Sequence, residues 1–149
     1  MLKPECIFSV GNLLAMLAWL VLAVGLFGPA RLQPPIWIGT TIVVPVLLGI
    51  AYAGLLASAM RAGTGGGFTS IAAVRRLFAN DAALAAGWLH YLAFDLFVGS
   101  WIARAGVAAA MSPFLLLPCL LLTFMVGPVG LVAFLVLRLV IAPEAAFAM

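Results

Sequence analysis

The chain has 149 residues, 67% hydrophobic and 7% charged, and its seven Lys/Arg against four Asp/Glu leave a formal charge of +3. A soluble domain carries about 25% charged residues, and a globule of this size cannot cover itself with so few. With a mean hydropathy of +1.33, this excludes a soluble enzyme, a disordered chain and a nucleic-acid binder, whose basic residues would be numerous and clustered. Cys6 and Cys119 are too few for a disulfide scaffold and lack the spacing of a metal site. What remains is an all-α integral membrane protein, a single transmembrane domain over residues 1–149.

A bilayer core of about 30 Å takes about 20 mostly apolar residues in helix, and four segments qualify. The first covers about residues 7–27 and stops at Gly28-Pro29; its apolar run is longer than that of a signal peptide, so it reads as a retained helix. The second follows Pro34-Pro35 and covers about 36–60. The loop after it holds Gly63-Thr64-Gly65-Gly66-Gly67, a flexible breaker with no Lys-Ser/Thr behind it to make a phosphate loop. Ser70 then caps a short helix over about 70–79. Ile71, Val74, Leu77 and Phe78 share one face of it and Arg75 and Arg76 the other, as in a helix lying in the headgroup layer or one that merely braces the bundle. Asn80 or Asp81 caps the third span, about 81–104. The fourth opens at Ser112-Pro113, with proline in the first turn, and covers about 113–138. The expected architecture is a four-helix transmembrane bundle with a short interfacial amphipathic helix between spans two and three.

Four spans put both termini on the side of the loop between spans two and three. Lys3, Arg61, Arg75, Arg76 and Arg138 collect there, against Arg31 and Arg104 opposite. Basic residues mark the cytoplasmic side, so both termini are expected in the cytoplasm.

An ionisable side chain inside a span is costly and marks a functional hypothesis. The third span reads Gly87-Trp88-Leu89-His90-Tyr91-Leu92-Ala93-Phe94-Asp95-Leu96-Phe97, which places His90 and Asp95 either side of mid-depth. Five residues turn a helix by about 140° beyond one full turn, so the two point apart. Tyr91 and Trp88 share the side of Asp95, whereas His90 lines up with Phe94, Phe97, Trp101 and Arg104. From the helical rise, Asn12 and Tyr52 lie near the depth of His90, and Thr123 near that of Asp95. Two polar layers are therefore expected, one of Asn12, Tyr52 and His90 and another of Asp95 with Thr123 or Tyr91. Hydrogen bonds that merely glue helices together would account for the same residues. Two ligands on different faces make no metal site, Ser100 has no correctly spaced base, and Cys119 lies in an apolar run that keeps its thiol inert.

Pro45 interrupts span two, and Pro118 and Pro128 interrupt span four, each removing a backbone hydrogen bond. Gly127-Pro128-Val129-Gly130 is expected to kink span four. Ala82, Ala83, Ala86 and Gly87 allow close approach of another helix. Kinks leave room between helices, lined by the aromatic third span and suited to a flat apolar ligand, or filled by packing alone.

The stretch Trp88-Leu89-His90-Tyr91-Leu92-Ala93-Phe94-Asp95-Leu96-Phe97-Val98-Gly99 resembles the abscisic-acid-deficient-four-like membrane family. Similar to it also are Phe8-Ser9-Val10-Gly11-Asn12, Val74-Arg75-Arg76-Leu77-Phe78 and the run from Pro118 to Gly130, so the resemblance covers nearly the whole chain. Plant members of that family are plastid membrane proteins needed to make neoxanthin from violaxanthin. The resemblance places His90 and Asp95 at the family's most distinctive polar pair. Family members often carry an arginine after the Phe-Val-Gly; Ser100 stands there in this chain and Arg104 follows a turn later. The chain shows no transit peptide, so a bacterial inner membrane is the expected location.

The resemblance implies a role in carotenoid or isoprenoid-lipid metabolism, isomerising or opening an epoxide on a polyene, or holding it for a partner enzyme. In the enzymatic version Asp95 is the general acid toward an epoxide oxygen and His90 accepts or relays a proton. Asn12, Tyr52, Trp88, Tyr91 and Thr123 are the expected ligand contacts. No nucleotide, haem or flavin motif is present and no cofactor is expected; the expected partners are membrane lipids, a carotenoid or other polyene, and a second copy of the chain. The competing readings are a non-catalytic membrane module packing against a protein or lipid, and a small proton-coupled transporter subunit, for which four spans without a repeat are few.

Overall fold

The computed structural model describes residues 3–143, and among these there is no β-strand. Helix α1 is Pro4–Gly25, α2 Gln33–Ile38, α3 Val44–Arg61, α4 Ile71–Leu77, α5 Asp81–Ala108, α6 Pro113–Val126 and α7 Pro128–Ile141. A 3-10 turn over Ala30–Leu32 leads into α2, and a π turn over Gly39–Val43 joins α2 to α3. Three helical stretches are long and apolar enough to cross a membrane: Pro4–Gly25, Ala30–Arg61 and Asp81–Ala108. Their outward surface is hydrocarbon. On α1, Leu13, Leu17, Leu20 and Val24 are all more than half exposed, whereas Ala15, Ala18, Trp19 and Leu22 are buried. Large aliphatic side chains turned outward invert the soluble arrangement and suit a lipid solvent.

Helix ends follow local chemistry. Asn80, rather than Asp81, caps α5: its Oδ1 accepts from the backbone N–H of Ala82 at 3.0 Å and of Ala83 at 3.1 Å. The second span begins before Pro34-Pro35 instead of after them, because proline in a first turn forfeits no helical hydrogen bond. Pro45 cannot donate to the preceding turn, and the π turn immediately before it takes up the mismatch.

The chain divides into two compact units, one of Met1–Met16 with Val44–Phe94 and one of Leu17–Val43 with Asp95–Met149. The core of the first is built on α5, where Ala82, Ala83, Ala85, Ala86 and Leu89 pack with Leu48, Leu55 and Ala59 of α3. The glycine loop in this unit is packed, not a loose breaker. Gly67 N–H donates to Ala73 O at 3.2 Å, Arg76 Nε donates to Gly65 O at 3.1 Å, and a Cβ on Gly66 would overlap the backbone of Leu77. Ser70 caps α4, accepting from Ala73 N–H at 3.1 Å. The expected apolar face of α4 is split, however: Ala73 and Leu77 are buried while Ile71 is 82% exposed, because the loop occupies the side next to Leu77.

In the second unit the expected fourth span over 113–138 is two helices of 14 residues, α6 and α7, each too short to count as a span. They do not continue one another. Gly127 between them has φ 46° and ψ −100°, a backbone that side-chain-bearing residues rarely adopt, and Pro128 follows with no N–H to continue the ladder. The two helices fold back on each other so closely that a Cβ on Gly130 would overlap the backbone N and Oγ1 of Thr123, with Cys119 O 2.6 Å away. The sequence reading of a kink understated this reversal.

The Gly130 contact is with backbone, which cannot move aside as a side chain can. Gly130→Ala should therefore destabilise the protein by about 1–3 kcal/mol, seen as a lowered midpoint of thermal unfolding in detergent. Gly54→Ala is the control, since nothing lies within 4 Å of its Cβ position, and it should be neutral or slightly stabilising.

Candidate functional site

Helix α5 carries most of the chemistry-bearing side chains, and its periodicity distributes them. Trp88 and His90 are two residues apart, a turn of about 200°, so they face opposite directions. Trp88 faces α1: its indole Nε1–H donates to Asn12 Oδ1 at 3.1 Å. The ring also packs on Phe8 with centroids 5.9 Å apart and on Tyr91 at 5.5 Å. His90 faces α3, with its ring 5.4 Å from that of Tyr52 and 4.6 Å from that of Phe94. The single layer expected of Asn12, Tyr52 and His90 is thus two pairs, Asn12 with Trp88 and Tyr52 with His90. Depth brings residues level, but helical direction decides which neighbour each one meets.

His90 is also exposed at the surface of the chain rather than enclosed in a bundle. It lines a cavity of about 180 Å³ together with Tyr52 and Leu56 from α3, Phe68 and Phe78 from the segments flanking α4, and Gly87 on α5. Gly87 is what lets Phe78 close that wall, since a Cβ there would lie 2.6 Å from Phe78 Cε1. The lining is aromatic and aliphatic, with one imidazole and one phenol as its polar groups. Such a lining takes an apolar body and offers hydrogen bonds to one polar atom.

Asp95 lies in the second unit, on α5 beside the α6–α7 turn. Its Oδ1 and Oδ2 are 3.0 and 3.1 Å from where a Cβ on Gly127 would stand. Gly127 N–H in turn donates to Thr123 O at 2.9 Å. The Thr123 hydroxyl is fully buried and donates to Cys119 O at 2.8 Å, within its own helix. The structure therefore joins Asp95 to the turn through Gly127 and commits the Thr123 hydroxyl to α6. Tyr91 belongs to the first unit, against Trp88. Among the described residues, no group of three or more His, Cys, Asp or Glu stands close enough to hold a metal.

Three positions carry more than the sequence reading gave them. Gly127 is the seat of the Asp95 carboxyl as well as a helix break. Arg138, counted among the charges at a span end, is only 5% exposed. Its burial was legible, because Gly130, Phe134 and Arg138 recur at the four-residue interval of one helical face, and these are the buried residues of α7. Ser100 is fully buried, and its hydroxyl has no hydrogen-bond partner among the described residues; no signal around Ser100 pointed to this.

The family model described as ABA4-like, ABA DEFICIENT 4-like, matches residues 6–134. Comparison with curated proteins and with solved structures gives no match.

The Trp88–Asn12 bond is the polar tie between α1 and α5 in the first unit. A double-mutant cycle of Trp88→Phe and Asn12→Leu should give a coupling of about 0.6 kcal/mol, the average for such bonds between membrane helices, with about 1.7 as an upper bound. The measurement is unfolding in mixed micelles, and a coupling of zero would show that the bond does not hold the helices.

Proposed function

The chain belongs to the ABA DEFICIENT 4-like family, and we propose from that premise that it is an integral membrane protein binding the end of a carotenoid or other isoprenoid lipid. The observation that carries this reading is the cavity of about 180 Å³ lined by His90 and Tyr52 among aromatic and aliphatic side chains. Whole-ligand pockets run to about 300–1,000 Å³, so this one accommodates a ring or chain end while the remaining polyene lies along the apolar outer surface. Phe68 and Phe78 stack on the inserted end. His90 and Tyr52 hydrogen-bond to an oxygen on it, where little water competes.

In this reading the recognition group is His90. Asp95, the other member of the expected acid–base pair, is assigned to the α6–α7 turn that it touches, and no proton-transfer step is assigned. The proposed location is a bacterial inner membrane, with Lys3, Arg61, Arg75 and Arg76 on the cytoplasmic side.

The test is expression in a carotenoid-producing bacterial host, purification in mild detergent, and the visible spectrum of the protein. Pigment should accompany the wild type. Losing one hydrogen bond in this setting corresponds to about a two- to tenfold loss of affinity, so His90→Ala and Tyr52→Phe should each lower the bound pigment by that factor. Phe68→Ala should lower it without disturbing the fold, since Phe68 is 77% exposed. Folded wild-type protein without pigment, or full retention in His90→Ala, would overturn the reading.

A further inference from the structure

The second unit gives the direction of travel of the last two helices. Helix α6 runs antiparallel to α5. Leu116 packs on Gly106, where a Cβ would meet Leu116 Cγ at 3.0 Å, and Gly127 lies against Asp95. The two contacts are equally spaced on both helices, so the pair is in continuous antiparallel register. Phe27, beyond the C-terminal end of α1, packs on Phe114 at the start of α6 with centroids 5.2 Å apart, and Trp19, further back on α1, packs on Phe124 at 5.5 Å. These contacts agree with that direction. Asp95 is at the middle of the 28-residue α5, and α6 ends beside it.

After the turn α7 goes back the way α6 came. Gly130 lies on Thr123 and Cys119 of α6. Further along, Phe134 packs edge-on against Trp101 of α5, with centroids 5.5 Å apart. Trp101 stands beyond Asp95 toward the Ala108 end of α5, by nearly the same distance that Phe134 stands beyond Gly127. Helix α7 therefore climbs alongside α5 toward Ala108.

We propose that α6 and α7 form a re-entrant hairpin. It enters the membrane at Pro113, turns at Gly127 near mid-depth against Asp95, and leaves on the side it entered. Length agrees: 14 residues rise about 21 Å, short of the bilayer core of about 30 Å. Non-helical chain at this depth must be satisfied within protein, and Gly127 meets that condition. Gly127 is buried, its N–H is given to Thr123 O, its carbonyl accepts from Gly130 N–H at 3.1 Å, and Pro128 has no N–H to satisfy. The consequence is an odd number of crossings. The end of α7 returns to the side of the 109–112 turn, across α5 from the loop 62–80, whereas a full fourth span would bring it to that loop. The inference is independent of what the cavity at His90 binds.

The test is labelling with a membrane-impermeant maleimide in right-side-out and inverted vesicles. The background is the full chain with Cys6→Ser and Cys119→Ala. Single cysteines are placed by Thr64→Cys in the loop, Ser112→Cys in the turn, Val126→Cys at the hairpin tip, and by one residue appended after Met149. The appended cysteine should label from the same face as Ser112→Cys and opposite to Thr64→Cys, while Val126→Cys resists labelling from the Thr64 face. Labelling of the appended cysteine from the Thr64 face overturns the proposal. So does labelling of Val126→Cys from that face, which reads the hairpin tip without relying on the C-terminus.

Discussion

At Gly127 the chain reverses direction within a run of apolar residues, and the organisation of the second unit depends on how that turn is kept free of unsatisfied backbone. In hydrocarbon each unpaired N–H or C=O costs several kcal/mol, so a reversal there is sustainable only if every group finds a partner. Proline removes one donor, glycine gives its N–H to Thr123 O as the last bond of α6 and then reverses the chain through its positive φ, and Gly130 brings the helices together without a side chain between them. The carboxyl of Asp95 then closes over the turn from α5. Asp95 thus stands against this turn, whereas His90 lines the cavity of the first unit.

The sequence displays the apolar stretches and not the paths between them. The three long helices follow from run length, and the cap at Asn80 from its side-chain chemistry. The segment from Pro113 to Arg138 is ambiguous on the same criterion, because a single tilted span and a hairpin of two half-length helices have identical hydropathy. The distinction resides in Gly127-Pro128-Val129-Gly130: the first pair breaks the helix, and the second glycine permits helices to touch at backbone distance. A break is readable from such a pattern; the angle is not, since it is set by what packs on either side, here Leu116 on Gly106 and Phe134 on Trp101.

The polar residues show the same division between what is local and what is tertiary. Depth along a helix follows from counting, and Tyr52 does lie ring to ring with His90. Azimuth on α1 and α3 depends on how those helices are rotated, which the weak amphipathicity of nearly uniform apolar segments leaves open. Asn12 accordingly meets Trp88 and not His90. Arg138 is a different case: counting charges assigns it only a side of the membrane, whereas its four-residue spacing from Gly130 and Phe134 places it on the packed stripe of α7.

Within the first unit these angles also explain how an exposed imidazole is held in a defined direction. Trp88 is fixed to α1 by a hydrogen bond and by Phe8 and Tyr91, while Leu89, fully buried, fills the space left by Gly11 of α1. Those contacts set the rotation of α5 about its own axis. With the rotation set, a residue two positions after Trp88 has only one direction to face, and His90 is presented to Tyr52 and the cavity. A polar group placed this way owes its orientation to rigid helix packing and not to a loop, so its geometry is as stable as the unit that carries it. The tie at Asn12 and the groove at His90 are in this sense one arrangement: the first sets the angle at which the second opens.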